Sequence, residues 1–136
     1  MAISERGVRL ALFVLGIGHL ALGAWQALAP RSFYDGIAGF GPYNPHFIRD
    51  VATFTVALGV VLLLAAVRSS WRVPVLFYAT LQYALHTINH VVDVGKSEPG
   101  WVGPADVVAL AVTGALLAWT LRQAVRVQDR SRAVAG

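Results

Sequence analysis

Apolar residues in this chain are grouped into long stretches that are separated by short polar or turn-forming segments. Four stretches are about twenty residues long, which is the length that a helix needs to cross the ~30 Å hydrocarbon layer of a membrane. Inside a bilayer a helix pairs its own backbone amides, whereas an irregular segment would leave them without partners. The pattern therefore predicts four transmembrane helices, at about 8–29, 47–67, 73–92 and 102–121.

These helices fill most of the chain and predict an all-α integral membrane protein. We expect a four-helix bundle with up-down-up-down topology, in which 1–136 form a single membrane domain and 122–136 are a basic tail. The segment 30–44 is predicted as a loop, because Pro30 ends the first helix and several glycines and prolines favour turns. Only 13% of the residues are charged. In a typical water-soluble domain, about a quarter of the residues are charged.

Arginine and lysine are unevenly distributed between the two ends of these helices. Eight lie at the N-terminus, between the second and third helices, or after the fourth helix, and three lie on the other side. The eight are Arg6, Arg9, Arg68, Arg72, Arg122, Arg126, Arg130 and Arg132, and the three are Arg31, Arg49 and Lys96. The positive-inside rule then predicts a multi-pass protein of the plasma membrane with both termini cytoplasmic. The excess of positive charge is thus an orientation signal, and it indicates no nucleic-acid partner.

The third predicted helix has one polar face and one apolar face. At about 100° per residue, its polar side chains fall within an arc of about 120°. They are Gln82, Tyr83, His86, Asn89, His90 and Asp93. A polar face turned toward lipid costs free energy, so we expect this face to look into the bundle or into a wet cavity.

The other predicted helices carry polar residues that can meet this face. On the first helix, His19 and Gln26 share a face with Gly16 and Gly23, and small residues allow close helix approach. The orientation places these groups in the outer half of the membrane and predicts a polar pocket that opens outward. The predicted ligand-binding residues are His19, Gln26, Arg49, Gln82, Tyr83, Asn89, Asp93 and Asp106.

His86 and His90 are four residues apart, a spacing that lets two imidazoles on one helix reach a single metal ion. A carboxylate from Asp50 or Asp106 would complete a set suited to zinc or non-haem iron, and Asp50 is the preferred partner. Haem is an alternative cofactor, with His19 and His86 as axial ligands. Without a metal, His86, His90 and Asp50 are the predicted catalytic residues for acid-base chemistry on a hydrophobic substrate.

A purely structural interpretation competes with each of these predictions. Asp50 and Asp106 lie near helix N-termini, where a carboxylate is stabilised by the helix dipole. A buried histidine that is hydrogen-bonded across helices also commonly serves only to join them. The chain contains no cysteine, which excludes thiolate chemistry and iron–sulfur clusters.

Three functions therefore stay open. The first is a membrane protein that binds a hydrophobic or amphipathic small molecule, with acid-base conversion of that molecule left open and binding favoured over catalysis. The second is a metal- or haem-binding redox protein. The third is an accessory subunit or homo-oligomer whose polar stripe meets another membrane chain.

Three segments resemble those of small bacterial four-helix membrane proteins of the DoxX-like type. They are the run GHLALGAWQALAP, the aromatic and glycine-rich loop RSFYDGIAGFGPYN, and the pair RD at the next helix. The resemblance implies a plan of four short membrane helices. Some relatives in that broad group are subunits attached to oxidoreductases, but redox roles that depend on cysteine have no counterpart here. The resemblance implies no catalytic residue.

Overall fold

The computed structural model describes residues 4–135, and the helices within this range number five. They are α1 (Glu5–Leu28), α2 (Pro30–Ile37), α3 (Pro45–Val67), α4 (Ser69–Val92) and α5 (Val102–Ala135). Within the described residues, extended pairing is limited to an isolated bridge between Phe40 and Ser97. The predicted all-α class is confirmed.

Three of the described helices, α1, α3 and most of α5, are long and apolar enough to cross a membrane. The helix α4 is also 24 residues long, but the polar residues on one of its faces lower its mean hydropathy. Its opposite face is apolar and exposed, with Leu81, Leu85 and Ile88 each about half or more accessible. Exposed apolar surface of this kind suits contact with a lipid bilayer.

Local sequence signals account for the ends of several helices. The Ser4 hydroxyl accepts a hydrogen bond from the Gly7 amide and caps α1, while the Asn44 side chain accepts one from the Phe47 amide and caps α3. Each of these caps satisfies an amide that has no partner inside its own helix.

The segment between α1 and α3 departs from the predicted loop, because its first half forms α2. Pro30 ends α1 but is also the first residue of α2, where its missing N–H costs nothing. Arg31 and Asp35, one turn apart, form a 2.8 Å ion pair on the exposed face of α2. Proline therefore acts here as both a stop and a start signal.

The last helix is longer than predicted. The segment 122–135, expected to be a basic tail, continues α5 without a break. Gln123 and Ala124 are only 3% and 4% exposed, so this turn packs against the rest of the protein. Residues 1–3 and 136, which the predicted domain or tail includes, lie outside the described residues.

The helix pair α1 and α3 packs closely through glycines. A methyl group added at Gly59 would lie 3.0 Å from the Gly16 carbonyl oxygen, and one at Gly23 would lie 3.1 Å from the Val56 amide nitrogen. Gly16, Gly23 and their polar neighbours His19 and Gln26 are all buried, which confirms the predicted buried face of α1.

The four long helices share one apolar core. Helix α4 packs along α5, and α3 contacts α4. Each of the four contributes one leucine that is fully buried: Leu12, Leu62, Leu76 and Leu117. This core fixes which side of α4 faces inward.

Two loops meet near the end of α4 and the start of α5. The Glu98 amide donates a 2.8 Å hydrogen bond to the Gly39 carbonyl, beside the bridge between Phe40 and Ser97. The buried Ser97 hydroxyl accepts a 2.8 Å hydrogen bond from the Gly103 amide and so holds its loop to the start of α5. These contacts position Phe40 over α4.

Candidate functional site

The polar face of α4 makes contact with two different helices of the same chain. Tyr83 lies against α1, whereas His86 and His90, in the last two turns of α4, lie toward α5 and the loop that carries Phe40. Tyr83 and His90 of the predicted polar stripe therefore face protein, whereas Asn89 is exposed.

Tyr83 and His19 form a buried hydrogen-bonded pair. The His19 Nδ1–H donates to the Leu15 carbonyl at 2.7 Å, because a carbonyl oxygen can only accept. His19 Nε2 is then an acceptor, and it accepts a 2.8 Å hydrogen bond from the Tyr83 hydroxyl. Both residues are less than a tenth exposed, and their rings meet edge to face at 5.6 Å. The pair connects α1 to α4.

The fully bonded state of His19 corrects the haem prediction. Both ring nitrogens of His19 are engaged in hydrogen bonds, one to Leu15 and one to Tyr83. A haem iron would need one of them free. The structure therefore assigns His19 the structural role that the sequence had left as an alternative.

His86 and His90 are joined to each other. Their Nε2 atoms lie 3.1 Å apart, and their ring centres lie 4.8 Å apart at an angle of 62°. One Nε2–H donates to the other Nε2, so the predicted pair exists as a hydrogen-bonded unit.

Asp106, at the start of α5, is the carboxylate nearest to this pair. Its Oδ2 lies 3.7 Å from His90 Nδ1, and the two side chains are only 15% and 17% exposed. His90 Nδ1 is buried and makes no hydrogen bond within the described residues, so Asp106 is the charged group that faces it. The Phe40 ring covers His90 edge to face at 5.0 Å.

These three side chains form the cluster Asp106–His90–His86. The charge of Asp106 determines which histidine nitrogens donate and which accept. An ionised Asp106 only accepts, so it favours a proton on His90 Nδ1. His90 Nε2 is then the acceptor for the Nε2–H of His86. That choice leaves a lone pair on His86 Nδ1, which makes no hydrogen bond within the described residues. The cluster can therefore present a proton acceptor at His86 Nδ1.

Asp50 does not belong to this cluster, which corrects its predicted catalytic and metal-binding roles. Asp50 lies on an exposed face of α3 and pairs at 3.4 Å with His46, one turn earlier on the same helix. Arg49 is exposed beside it. The sequence is compatible with an inward-facing Asp50 side chain, but α3 is rotated about its axis so that this side chain is exposed.

The predicted metal set is not assembled. No three His, Asp or Glu side chains within residues 4–135 are grouped so that they hold a metal ion. The set of His86, His90 and Asp50 is incomplete because Asp50 is exposed on α3. Asp106 does not replace it, because Asp106 lies beside His90 Nδ1, whereas the two histidines face each other through their Nε2 atoms.

The remaining predicted ligand-binding residues are divided between the interior and the surface. Gln26 is 4% exposed, and the Oε1 atoms of Gln26 and Gln82 are buried without a hydrogen bond from the described residues. Asn89 is exposed, and Asp93 forms a 2.6 Å ion pair with Lys96 in the following turn. The polar arc thus has an inward edge and an outward edge.

Two cavities are lined by residues other than those of the predicted pocket. One lies between α3 and α4 and is lined by Val61, Trp71, Pro74 and Tyr78, with a volume of about 500 Å³. The other is lined by Glu5, Arg9 and Arg72 among others and lies at the opposite end of the molecule from His86. The Phe40 ring lies against His90 in the Asp106–His90–His86 cluster, and Phe40 lies in a loop where helical periodicity gives no signal.

In comparisons with known proteins, no family model, no curated protein and no solved structure matches this chain.

Proposed function

We propose that this chain is a multi-pass membrane protein of the DoxX-like type that binds the polar end of an amphipathic small molecule at Asp106–His90–His86. In this proposal α1, α3, α4 and α5 form an up-down-up-down four-helix bundle with both termini cytoplasmic. The cluster then lies near the outer surface of the membrane, where an amphipathic molecule has its polar group.

The observation that carries the proposal is the hydrogen-bonded imidazole pair with a half-buried carboxylate at one end. A carboxylate that orients a histidine is a common device for fixing its tautomer. Here the device leaves His86 Nδ1 as a proton acceptor. The preferred ligand is therefore one that donates a hydrogen bond, such as an alcohol or a phenol. Acid-base conversion of that ligand would begin with transfer of its hydroxyl proton to His86 Nδ1.

Contacts of the polar stripe support this function over that of an accessory subunit. A subunit that used the stripe to meet another chain would leave Tyr83, His86 and His90 without partners in its own fold. Instead, Tyr83 is bonded to α1, and His90 lies between Phe40 and Asp106.

A pair of alkyl-phenyl probes tests the proposal. Calorimetric titration of the purified protein in detergent compares 4-hexylphenol with 4-hexylanisole, which has the same alkyl chain but no O–H. One neutral hydrogen bond is worth about 1 kcal/mol, so we expect the phenol to bind roughly fivefold more tightly. His86→Ala should abolish this preference. The matched control is His46→Ala, which removes an exposed histidine outside the cluster and should retain it. Equal affinities for the two probes in the unmodified protein would refute the proposal.

A second candidate function, zinc binding, is favoured by the separation of the two Nε2 atoms. Two imidazoles that bind one tetrahedral zinc ion at about 2.0–2.1 Å have nitrogens about 3.3 Å apart. The observed 3.1 Å is close to this value. Asp106 would then orient His90 from its other nitrogen, as carboxylates do behind many zinc ligands, with solvent or substrate completing the coordination.

Zinc titration of the metal-free protein, followed by elemental analysis, tests this second candidate. We expect about one zinc ion per chain in the unmodified protein and in His46→Ala, and none in His86→Ala. Zinc retention that does not depend on His86 would rule out this site.

A further inference from the structure

A second polar feature lies at the other end of the molecule, where the start of α1 meets the turn between α3 and α4. These segments enclose a cavity of about 240 Å³. Its polar lining consists of Glu5, Arg6, Arg9, Ser69 and Arg72. The arginines among these residues carry the orientation signal of the sequence, and the candidate site at His86 includes none of them.

Arg72 forms the built part of this cavity. Its guanidinium is buried, with the residue 7% exposed, although arginine is among the residues that are rarely buried. Its Nε–H donates to the Ala65 carbonyl at 3.3 Å, and its Nη1 donates to Glu5 at 3.2 Å. These bonds tie α1, α3 and α4 together and hold a fixed positive charge at the cavity wall.

Glu5 compensates only one of the three guanidinium charges. Arg6 and Arg9 have no carboxylate within ion-pair distance in the described part of the chain. The Arg9 guanidinium instead lies 5.7 Å from the centre of the Phe13 ring. Three cations and one anion line the cavity, so it carries an excess of two positive charges.

The start of α4 adds to the positive potential at this place. Ser69, the first residue of α4, lines the cavity, and no side chain caps this helix end. The first amides of a helix carry partial positive charge, which acts in the same direction as the guanidiniums. Guanidinium groups match the geometry of phosphate oxygens and bind them with two parallel hydrogen bonds.

We propose that this cavity binds a phosphate group, supplied by the headgroup of an anionic phospholipid. The proposal is independent of the ligand at His86 and uses only the membrane-spanning arrangement of the helices. In that arrangement the cavity lies at the cytoplasmic headgroup level, where anionic lipids and basic pockets between helices meet.

Thermal unfolding of the full chain in a neutral detergent tests the phosphate site, with tryptophan fluorescence as the readout. The additives are phosphatidylglycerol, phosphatidylcholine and inorganic phosphate, each at the same concentration. A ligand that binds only the folded state raises Tm, and we expect phosphatidylglycerol to raise it by about 3–5 °C. Phosphatidylcholine, whose choline balances its phosphate charge, should have little effect.

Two double variants separate a specific site from general surface charge. Arg6→Gln/Arg9→Gln removes the two uncompensated cavity charges and leaves Arg72 in place, so we expect folding without the lipid-dependent rise. Arg122→Gln/Arg130→Gln removes two exposed arginines from α5, on the same predicted side, and should keep the rise.

Each outcome of this experiment decides the proposal. A rise that is lost only in Arg6→Gln/Arg9→Gln supports the site. An equal rise with inorganic phosphate, lost in the same variant, supports the phosphate site and assigns its source to soluble phosphate. No rise in the unmodified protein, or the same loss in both double variants, would overturn the proposal.

Discussion

The Tyr83 hydroxyl donates a 2.8 Å hydrogen bond to His19 Nε2 and so joins α4 to α1 through two residues that are 64 positions apart in sequence. The same histidine donates from Nδ1 to the carbonyl of Leu15, one turn earlier on α1. A buried histidine with both nitrogens satisfied acts as a fixed link between helices, and this link adds to the apolar core in holding Tyr83 on the inward side of α4.

Removing the Tyr83 hydroxyl should therefore destabilise the protein. Tyr83→Phe leaves His19 Nε2 buried without a donor, which costs about 1–3 kcal/mol of unfolding free energy. The measurement is denaturant or thermal unfolding in detergent. Tyr78→Phe is the matched control, because Tyr78 is 57% exposed and makes no hydrogen bond through its hydroxyl within the described residues. Equal stability of the two variants would mean that the Tyr83 bond contributes nothing.

Asp106 and Asp50 should differ in their effect on the candidate site. Asp106→Asn removes the charge that faces His90 Nδ1, so the tautomer of the pair is no longer fixed. We expect the preference for 4-hexylphenol over 4-hexylanisole to fall to the level of His86→Ala. Asp50→Asn breaks only an exposed pair with His46, so it should keep that preference and change stability by less than about 0.5 kcal/mol. Loss of the preference in Asp50→Asn alone would restore the carboxylate that sequence analysis preferred.

The close contact of α1 and α3 should tolerate no side chain at Gly23. A Cβ there would lie 2.6 Å from the Val56 side chain and 3.1 Å from its amide nitrogen. Gly23→Ala should cost about 1–3 kcal/mol, because the helices must move apart. Gly18→Ala on the same helix meets nothing within 4 Å and should be neutral or stabilising by up to about 1 kcal/mol. Unfolding midpoints of the two variants check this prediction, and a stable Gly23→Ala protein would contradict the observed helix separation.

Phe40 should control access to His90. Its ring covers the imidazole at 5.0 Å, so Phe40→Ala should increase the rate at which diethyl pyrocarbonate modifies the histidines of the cluster. Mass spectrometry of the peptide that contains both histidines measures this rate. Phe47→Ala is the control, because Phe47 is 63% exposed and lies outside the cluster. An unchanged rate in Phe40→Ala would show that the ring does not shield the site.

Helical periodicity made much of this architecture predictable. The rotation of about 100° per residue is a local property, so it placed Gly16, His19, Gly23 and Gln26 on one face of α1, and the structure buries all four. The same rule paired His86 with His90, because residues four apart lie one above the other. Errors arose where local signals were ambiguous: Pro30 both ends α1 and begins α2, and 122–135 contains no residue that breaks α5.

The sequence by itself determined the all-helical class, three apolar helices long enough to cross a membrane, and the two-faced character of α4. Only the tertiary structure decided that Asp106 and not Asp50 faces His90, that His19 is held by Tyr83, and that Phe40 covers the cluster. The physical reason is that periodicity fixes which side chains share a face of one helix. The rotation and separation of whole helices, set by glycine contacts and the common core, select the partner that each face meets.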